Sequence, residues 1–452
     1  MNLTTFTTAL SGLNANAQGL SVVGNNLANL NTVGFKSSNI SFVDVLGQAF
    51  ATGVSGSGNV NLGLGTQVAS VRANFSAGSV QTTNNPLDVA IQGKGLLVLK
   101  GAEGKYYTRA GNLHLDSDNN LVADNGMAVQ GYVRNPSNGT IDPNLGLHNI
   151  QMPSGLESPV KTSQFQVNMN LDANSADAAK FTTSFQVYDS LGAAHMAKVS
   201  LQKDSTSGNP PLTKWKFDIT IPEKETGGAD PASTKEYSLI TGAVAGATPS
   251  AGTLVFDAAG KLKSAYTGAD PAALPALADL KIPPAGVTLP GMAAGGTLAS
   301  SISWKLLSSD GTSPVTGFAS PSEVSFSSQN GAAAGTLNNM TVQPDGTISA
   351  VFTNGKTVNF AQIVLAQFGN VDGLVPAGGG LYQETAISGS SFVGAPGDGG
   401  RGRMIGGALE QSNVDLATEL TKIITFQRGY QANAKLITTT DQIMQQTMQM
   451  VQ

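Results

Sequence analysis

The sequence predicts a multidomain α+β protein: terminal heptad α-helices that form an inner helical layer, with discontinuous, mainly-β inner and outer domains nested between them. Three observations carry this. Apolar residues recur at alternating steps of three and four near both ends of the chain. The sequence between them is rich in Gly, Ser, Thr and Asn and is punctuated by turn signals, which reads as β structure. At 452 residues the chain also has room for about three domains of ~150 residues each.

The N-terminal seam runs through Leu3, Phe6, Leu10, Leu13, Ala17, Leu20, Gly24 and Leu27. Gly12, Gly19 and Gly24 interrupt it, each costing roughly 1 kcal/mol against alanine, so the isolated helix is marginal. The stretch "GNNLANLNTVGFKSS" follows, with Asn25, Asn26, Asn29 and Asn31 crowded before Lys36, the first charged residue. Asn side chains satisfy groups left over at a helix end, and Gly34 supplies a turn. Asn25 and Asn29, one turn apart, suit a local cap or a hydrogen bond to a neighbouring molecule.

From about 40 to 70 the chain is a Gly/Ser/Asn-rich connector. "GLLVLK…KYYTRAG" reads as a hairpin, "NLHLDSDNNLVADNGMAVQGYV" as two more strands, and "FTTSFQVYDSLGAAHMAKVSLQ" with "KWKFDITIP" as a second β region. The Ala/Gly/Pro/Thr-rich segment 226–300 reads as loops with short strands. In "MTVQPDGTISAVFTNGKTVNFAQIVLAQF" the PDG and TNG triplets mark two turns. The C-terminal seam is Leu416, Leu420, Ile423, Gln427, Tyr430, Ala434, Ile437, Asp441, Met444, Met448 and Val451, preceded by Ser412 and Asp415 in the spacing of a capping box. Small residues at Ala17, Gly24 and Ala434 permit close helix approach, and Gln427 and Asp441 are polar intrusions that fix register. Pattern alone leaves open whether the two seams pair within one chain or between copies.

Composition excludes several classes. Charged residues are 12% of the chain and net charge is −5, without the clustered basic surface that nucleic acid demands. Cysteine is absent, which removes thiol catalysis, thiolate metal sites and disulfides. No run of eighteen apolar residues exists, so no membrane insertion is expected. The first residues lack the basic and continuous apolar regions of a cleavable secretory signal, so export, if it occurs, takes another route.

No motif carries enzyme chemistry, and no cofactor is expected. "DSDNN" at 116–120 begins like a calcium loop, but Leu121 and Met127 stand where Gly and Glu are needed, so a solvated turn is the better reading. "GDGGRG" at 397–402 matches a dinucleotide fingerprint without a leading strand or a βαβ unit. His114, His148 and His195 are scattered, with no nucleophile elbow to serve.

The two ends together are specific. "ALSGLNANAQGLSVVGNNLANLNTVGFKSS" resembles the N-terminal signature of the bacterial flagellar rod and hook family, through Asn25, Asn26, Asn29, Gly34 and Phe35. "GALEQSNVDLATELTKIITFQRGYQANAKLITTTDQIMQQTMQM" resembles its C-terminal signature, through Asn413, Asp415, Gln427, Arg428, Tyr430, Gln431 and Asn433. "GLGTQVASVRANFSAGSVQTTNNPLDVAIQGKGLLVLK" and "AQIVLAQFGNVDGL" are similar to the two halves of that family's inner β domain. The long insertion after 145, with "SFQVYDSLGAAHMAKVSL", is similar to the outer domain of hook-type members.

The resemblance implies an extracellular structural subunit, exported through the flagellar type III apparatus. It implies self-polymerisation into a curved, flexible tube that transmits torque as a universal joint from rod to filament and encloses the export channel. Rod proteins, hook–filament junction proteins, the hook cap and the export machinery are the implied partners. Alternatives are a stiff distal rod protein of the same family and, from another class, a secreted β-rich adhesin.

The expected domains are the N-terminal helix 1–30, a connector 31–70, inner β halves 71–145 and 335–405, an outer domain 146–334 of one or two subdomains, and the C-terminal helix 406–452. Glycine-rich stretches at 51–65 and 394–402 are expected to absorb displacement. Both ends, 1–70 and 405–452, are expected to order only on assembly.

Overall fold

A computed structural model describes residues 3–45, 49–50, 60–61, 63–102, 104–135, 139–152, 155–207, 212–222, 235–243, 245, 251–271, 273–282, 297–308 and 310–449. Side chains at 3–5, 49–50, 60–61, 205–207, 447 and 448 are not described, which takes Leu3 and Met448 out of the account, and Val451 lies outside the described residues. The expected connector at 51–65 falls mostly outside them too. Terminal helices enclose a mainly-β middle, and the chain divides into two units.

The first unit comprises 1–154, 338–351 and 357–452. Helix α1, Leu3–Ala28, lies against helix α2, Leu416–Gln449. The hairpin of Ser38–Asp44 with Thr66–Ala73 runs from Ser38 opposite Ala73 to Asp44 opposite Thr66, with a bulge at Ser41/Phe42, and packs on α1. The central strand is Leu96–Gly101. It forms the expected hairpin with Gly104–Thr108 and also pairs with Ala128–Val133 and Leu365–Gln367, so sequence-distant segments share one sheet.

Burial on both faces explains the unbroken apolar run: Leu96, Leu97, Val98 and Leu99 are all buried, as are Ile363 to Ala366. The "NLHLDSDNNLVADNGMAVQGYV" segment yields three strands rather than two, Leu113–Leu115, Leu121–Ala123 and Ala128–Val133. Short turns fit between them because Asp116 accepts hydrogen bonds from the backbone N–H groups of Asp118 and Asn120 and from the Asn120 amide. Two further pairings, Val89–Gln92 with Arg403–Gly406 and Val80–Thr82 with Ala408–Glu410, bring the C-terminal segment back beside the N-terminal one.

Segment 394–402 is a closed loop rather than a slack connector. Gly397 N–H donates to Gly402 O, Arg401 Nε to Ala395 O, and Gly402 N–H to Lys94 O. The strand Arg403–Gly406, not a helix, follows it directly, so the glycine fingerprint there has no phosphate-binding scaffold.

The second unit comprises 155–337 and 352–356. An antiparallel sheet runs in the order Lys180–Tyr188, Ala194–Ser207, Leu212–Pro222, Gly252–Phe256, Leu262–Thr267, with Glu236–Ser238 also on Leu212–Pro222. Gln164–Asn170 centres a second sheet, parallel to Ile302–Trp304 and Val315–Thr316 on one side and antiparallel to Glu323–Gln329 on the other. The two share a core in which Phe165 stacks on Phe185 at 4.3 Å and on Trp304 at 5.6 Å. The Ala/Gly/Pro-rich stretch contributes real core strands, since Leu254, Val255 and Phe256 are wholly buried. His195 is buried beside Asp189, at 3.3 Å, under the tight turn that Asp189 caps through the N–H groups of Leu191 and Ala193.

Candidate assembly face and terminal junction

The helical pair does not bury the stripe that hydrophobicity picks out. On α1 the least exposed positions are Ala9, Gly12, Ala15, Gly19, Val23 and Asn26. Phe6, Leu10, Ala17 and Gly24 are exposed, and Leu13, Leu20 and Leu27 half-buried. The expected seam therefore lies one residue, or about 100° of rotation, beyond the contact stripe.

The same offset holds on α2. Glu419 is buried, and Phe426, Gly429 and Asn433 are half-buried toward α1. Leu416, Leu420, Gln427, Arg428, Tyr430, Gln431, Asp441 and Met444 are exposed, and Ile423, Ala434 and Ile437 half-buried.

The contact stripe is small because the backbones approach closely. A Cβ added at Gly12 would stand 2.9 Å from Asn433 Nδ2, and one at Gly19 would stand 3.0 Å from the Phe426 ring. One at Gly429 would stand 2.7 Å from Asn16 Oδ1. These pairs run antiparallel in one register, 12 with 433, 16 with 429, 19 with 426, and 26 with 419, where Asn26 Nδ2 donates to Glu419 Oε2 at 3.2 Å. Gly12 and Gly19 are thus close-packing positions, whereas Gly24 meets nothing within 4 Å. Both helices are formed and paired within one chain.

What remains outside is an apolar face along both helices. Leu10 is 41% exposed, Leu416 46%, Leu420 43%, Ile424 51% and Leu436 52%. Leu10, Leu416 and Leu420 lie on the predicted stripe, whereas Leu436, about 200° around α2 from Leu416, lies on another side; together they leave an incompletely covered hydrophobic surface.

Beside this pair, the crowded asparagines resolve into distinct jobs. Asn26 is wholly buried and mimics a strand neighbour for Ser38, accepting from its N–H and donating to its O, both at 2.8 Å. Asn29 donates to Asn25 O and Oδ1, a bond inside the helix end, and accepts from Thr32 Oγ1. Gly34 needs its positive φ of 67°, and a Cβ there would sit 2.5 Å from Ala110 N. Phe35 is half-buried and its carbonyl accepts from Asn413 N–H. Asp415 alone caps α2, its carboxylate accepting from Thr418 N–H at 2.6 Å. Ser412 serves only its own local turn, through Val414 N–H, so the cap lies three residues later than the capping-box spacing placed it.

The two ends of the chain are tied at one buried polar cluster. Glu410 Oε1 accepts from Lys36 Nζ at 2.6 Å and from Gly78 N–H at 2.9 Å, and Oε2 accepts from Arg109 at 3.2 Å. Lys36 and Glu410 side chains have no exposed surface. Lys36 also donates to Ser76 O. Asn413 completes the clamp, accepting from Ser37 N–H and donating to Asn74 O and to Ser76 O and Oγ. Burial holds the Lys36 ammonium below its ordinary pKa of 10.5, against the opposing pull of Glu410. Burial lowers Arg109 as well, though a guanidinium stays charged.

Sequence reasoning missed Lys36, Arg109, Glu410 and Glu419. The available signal was their scarcity: in a chain this poor in charge, Lys36 and Glu410 stand inside or beside the terminal signatures.

A pair of terminal helices, β strands drawn from both chain halves and an exposed apolar helical face fit a subunit of the flagellar rod and hook, the class to which the family models assign the chain. Four family models match in chain order. They are the flagella basal body rod protein at 6–36, the flagellar hook protein FlgE/F/G D1 domain at 90–181, the flagellar basal body protein FlaE D2 domain at 156–332 and the flagellar basal body rod FlgEFG protein C-terminal region at 405–450.

The chain is 32% identical to the flagellar hook protein FlgE of Treponema pallidum, with 96% of each chain covered. It is 31% identical to that of Escherichia coli, over 97% of this chain and 98% of the relative. The fold is also similar to the crystal structure of Helicobacter pylori flagellar hook protein FlgE2, with a TM-score of 0.52 at 15% identity, covering 73% of this chain and all of that one. The chain belongs to the flagellar hook protein family, and it is a structural subunit of the flagellar hook.

Proposed function

We propose that this subunit polymerises through the outer face of its helical pair, forming a curved, flexible tube that couples rod to filament and surrounds the export channel. The observation that carries the reading is the second, incompletely buried heptad stripe: Phe6, Leu10, Ala17, Leu416, Leu420, Tyr430 and Met444 exposed, with Leu13, Leu20, Leu27, Ile423, Ala434 and Ile437 half-buried. Contacts that do not close generate an open helical polymer. Helices form the inner layer in this reading. Residues 71–145 and 335–405 build an inner β layer, and 146–334 an outer β domain. Bending then slides β domains as rigid bodies while the helical layer holds the channel.

Export through the flagellar type III apparatus, and contact with the rod, the hook cap and the hook–filament junction proteins, belong to the same reading. The test is electron microscopy of tubes sheared from cells that produce either the parent chain or Leu420→Asp. A carboxylate driven into an apolar contact costs several kcal/mol, so the variant is expected to be exported as folded monomer without forming hooks. Normal curved hooks from Leu420→Asp would refute the assembly face, and straight stiff tubes from the parent chain would refute the flexible joint.

A further inference from the structure

Among the described residues, the two most exposed large apolar side chains outside the helices lie five residues apart, in a place the helical face does not explain. Ile387 is 74% exposed and Phe392 67%. The turn that presents Ile387 is built with unusual care. Thr385 Oγ1 donates to Gly373 O and accepts from the N–H groups of Ile387 and Ser388. Ser388 Oγ, itself buried, accepts from Thr385 N–H and donates to Thr385 O. Asn370 N–H donates to Ser388 O, and a Cβ on Gly373 would clash with Ser388 N at 2.5 Å. A turn so braced cannot fold its apolar tip back onto the protein.

Phe392 begins the strand Phe392–Gly394, which pairs with Leu365–Gln367 on one side and, among the described residues, with no strand on the other. Natural sheet edges are blunted with charges or proline. Here the blunting is confined to one end, where Arg401 lies against Gly394 and Pro396 follows; the ten residues from Thr385 to Gly394, "TAISGSSFVG", themselves contain no ionisable side chain.

We propose that the braced turn and this bare edge form a rigid apolar knob that docks on a second copy of this chain in the polymer, apart from the helical contact. A pre-ordered apolar tip loses little conformational entropy on docking, which is the property of an interface anchor. A single flanking arginine, Arg401, is too little charge to steer toward nucleic acid or an anionic membrane. The surface that is always present at high local concentration is another copy. This inference rests on the reading that the chain polymerises with itself.

The chain has no cysteine, so single cysteines report cleanly. Ile387→Cys, Phe392→Cys and, for the helical face, Leu420→Cys are labelled with a maleimide carrying a photocrosslinker, as monomer and in tubes sheared from cells. In the Ile387→Cys and Phe392→Cys variants, labelling in tubes is expected to slow by about tenfold or more, as for a group reached only when a contact opens. Irradiation is expected to give a product of twice the chain mass. If the thiol of Leu420→Cys is protected while those of Ile387→Cys and Phe392→Cys label as fast in tubes as in monomer, the knob is overturned and the helical contact stands. A crosslink to a different flagellar protein overturns the choice of a second copy. Equal labelling of all three variants in tubes and monomer overturns both readings. A variant that melts like the parent but forms no tube, beside an assembling and protected partner variant, supports the knob.

Discussion

Replacing Glu410 by Gln should loosen the terminal junction without altering its shape. The carboxylate neutralises two buried cations, and Gln at the same site keeps one acceptor while turning the other oxygen into a donor facing Lys36 or Arg109. Removing one partner of a buried ion pair typically costs about 3–5 kcal/mol, because the partner charge stays buried and uncompensated. Total stability of a domain is about 5–15 kcal/mol, so this one atom change consumes a large share of it.

Two probes separate the units. The chain has two tryptophans, Trp215 and Trp304, both in the core of the second unit, while both long helices lie in the first. The helical circular dichroism signal should therefore melt earlier in Glu410→Gln while tryptophan fluorescence melts as in the parent.

Lys36→Met is expected to be much milder, since Glu410 keeps Arg109 and an apolar stem fills a dry site. The proton linkage has a definite sign. With Lys36 held below 10.5 in the folded chain, the unfolded chain binds that proton more tightly, so the first unit gains stability as pH rises through the window just below 10.5. Lys36→Met abolishes that gain. A Glu410→Gln variant whose helical transition falls within about 1 kcal/mol of the parent would refute the view that the cluster holds the ends together.

Two further outcomes follow from local packing. Gly429→Ala puts a methyl group 2.7 Å from the end of the Asn16 side chain, which donates to Gly12 O. Shifting that amide should cancel the roughly 1 kcal/mol that Ala gains over Gly in a helix. Gly24→Ala, by contrast, with open space around it, should stabilise α1 by up to about 1 kcal/mol; equal effects in thermal melts would sink the assignment of the contact stripe. In the second unit, burial raises the Asp218 carboxyl above its ordinary 3.8 although Ser238 Oγ and Ile219 N–H bond to it. Its contribution is full below 3.8 and is lost as pH climbs through the raised value, so Asp218→Asn should melt higher at neutral pH by about 1 kcal/mol in tryptophan fluorescence and flatten that pH slope.

Much of the fold was legible because its signals are local. The Leu96–Gly101 hairpin, the turns at Gly346 and Gly355 and both terminal helices follow from periodicity and turn chemistry. The strands at Gly252–Phe256 and Leu262–Thr267 were read only as short strands among loops. Their composition is diluted by flanking Ala, Gly and Pro, and what makes them core is a neighbour far away in sequence, the strand Leu212–Pro222. The junction was illegible for the same reason. Nothing near Lys36 announces that residue 410 will meet it; only scarcity of charge marked either.

The contact stripe was misread for a different reason, and that reason bears on function. Hydrophobic periodicity weights large side chains, so it finds the face with most apolar area, not the face where two backbones come closest. Here those faces differ by one residue on both helices. Gly12, Gly19 and Gly429 accept Asn433, Phe426 and Asn16 within the chain, while Leu13, Leu20 and Tyr430, one position on, stay outside that contact. Had the large stripe been buried inside the hairpin, a single chain would have satisfied itself and offered its copies a polar surface. Placing small residues and amides in the intrachain contact makes that contact close but modest in apolar area. It leaves the larger hydrophobic area exposed, which is the surface the proposed polymer contact would cover. If the proposed polymer contact is right, the helical pair sets the register of the two ends and the larger apolar gain comes from neighbouring subunits, the order of strengths that growth of a polymer requires.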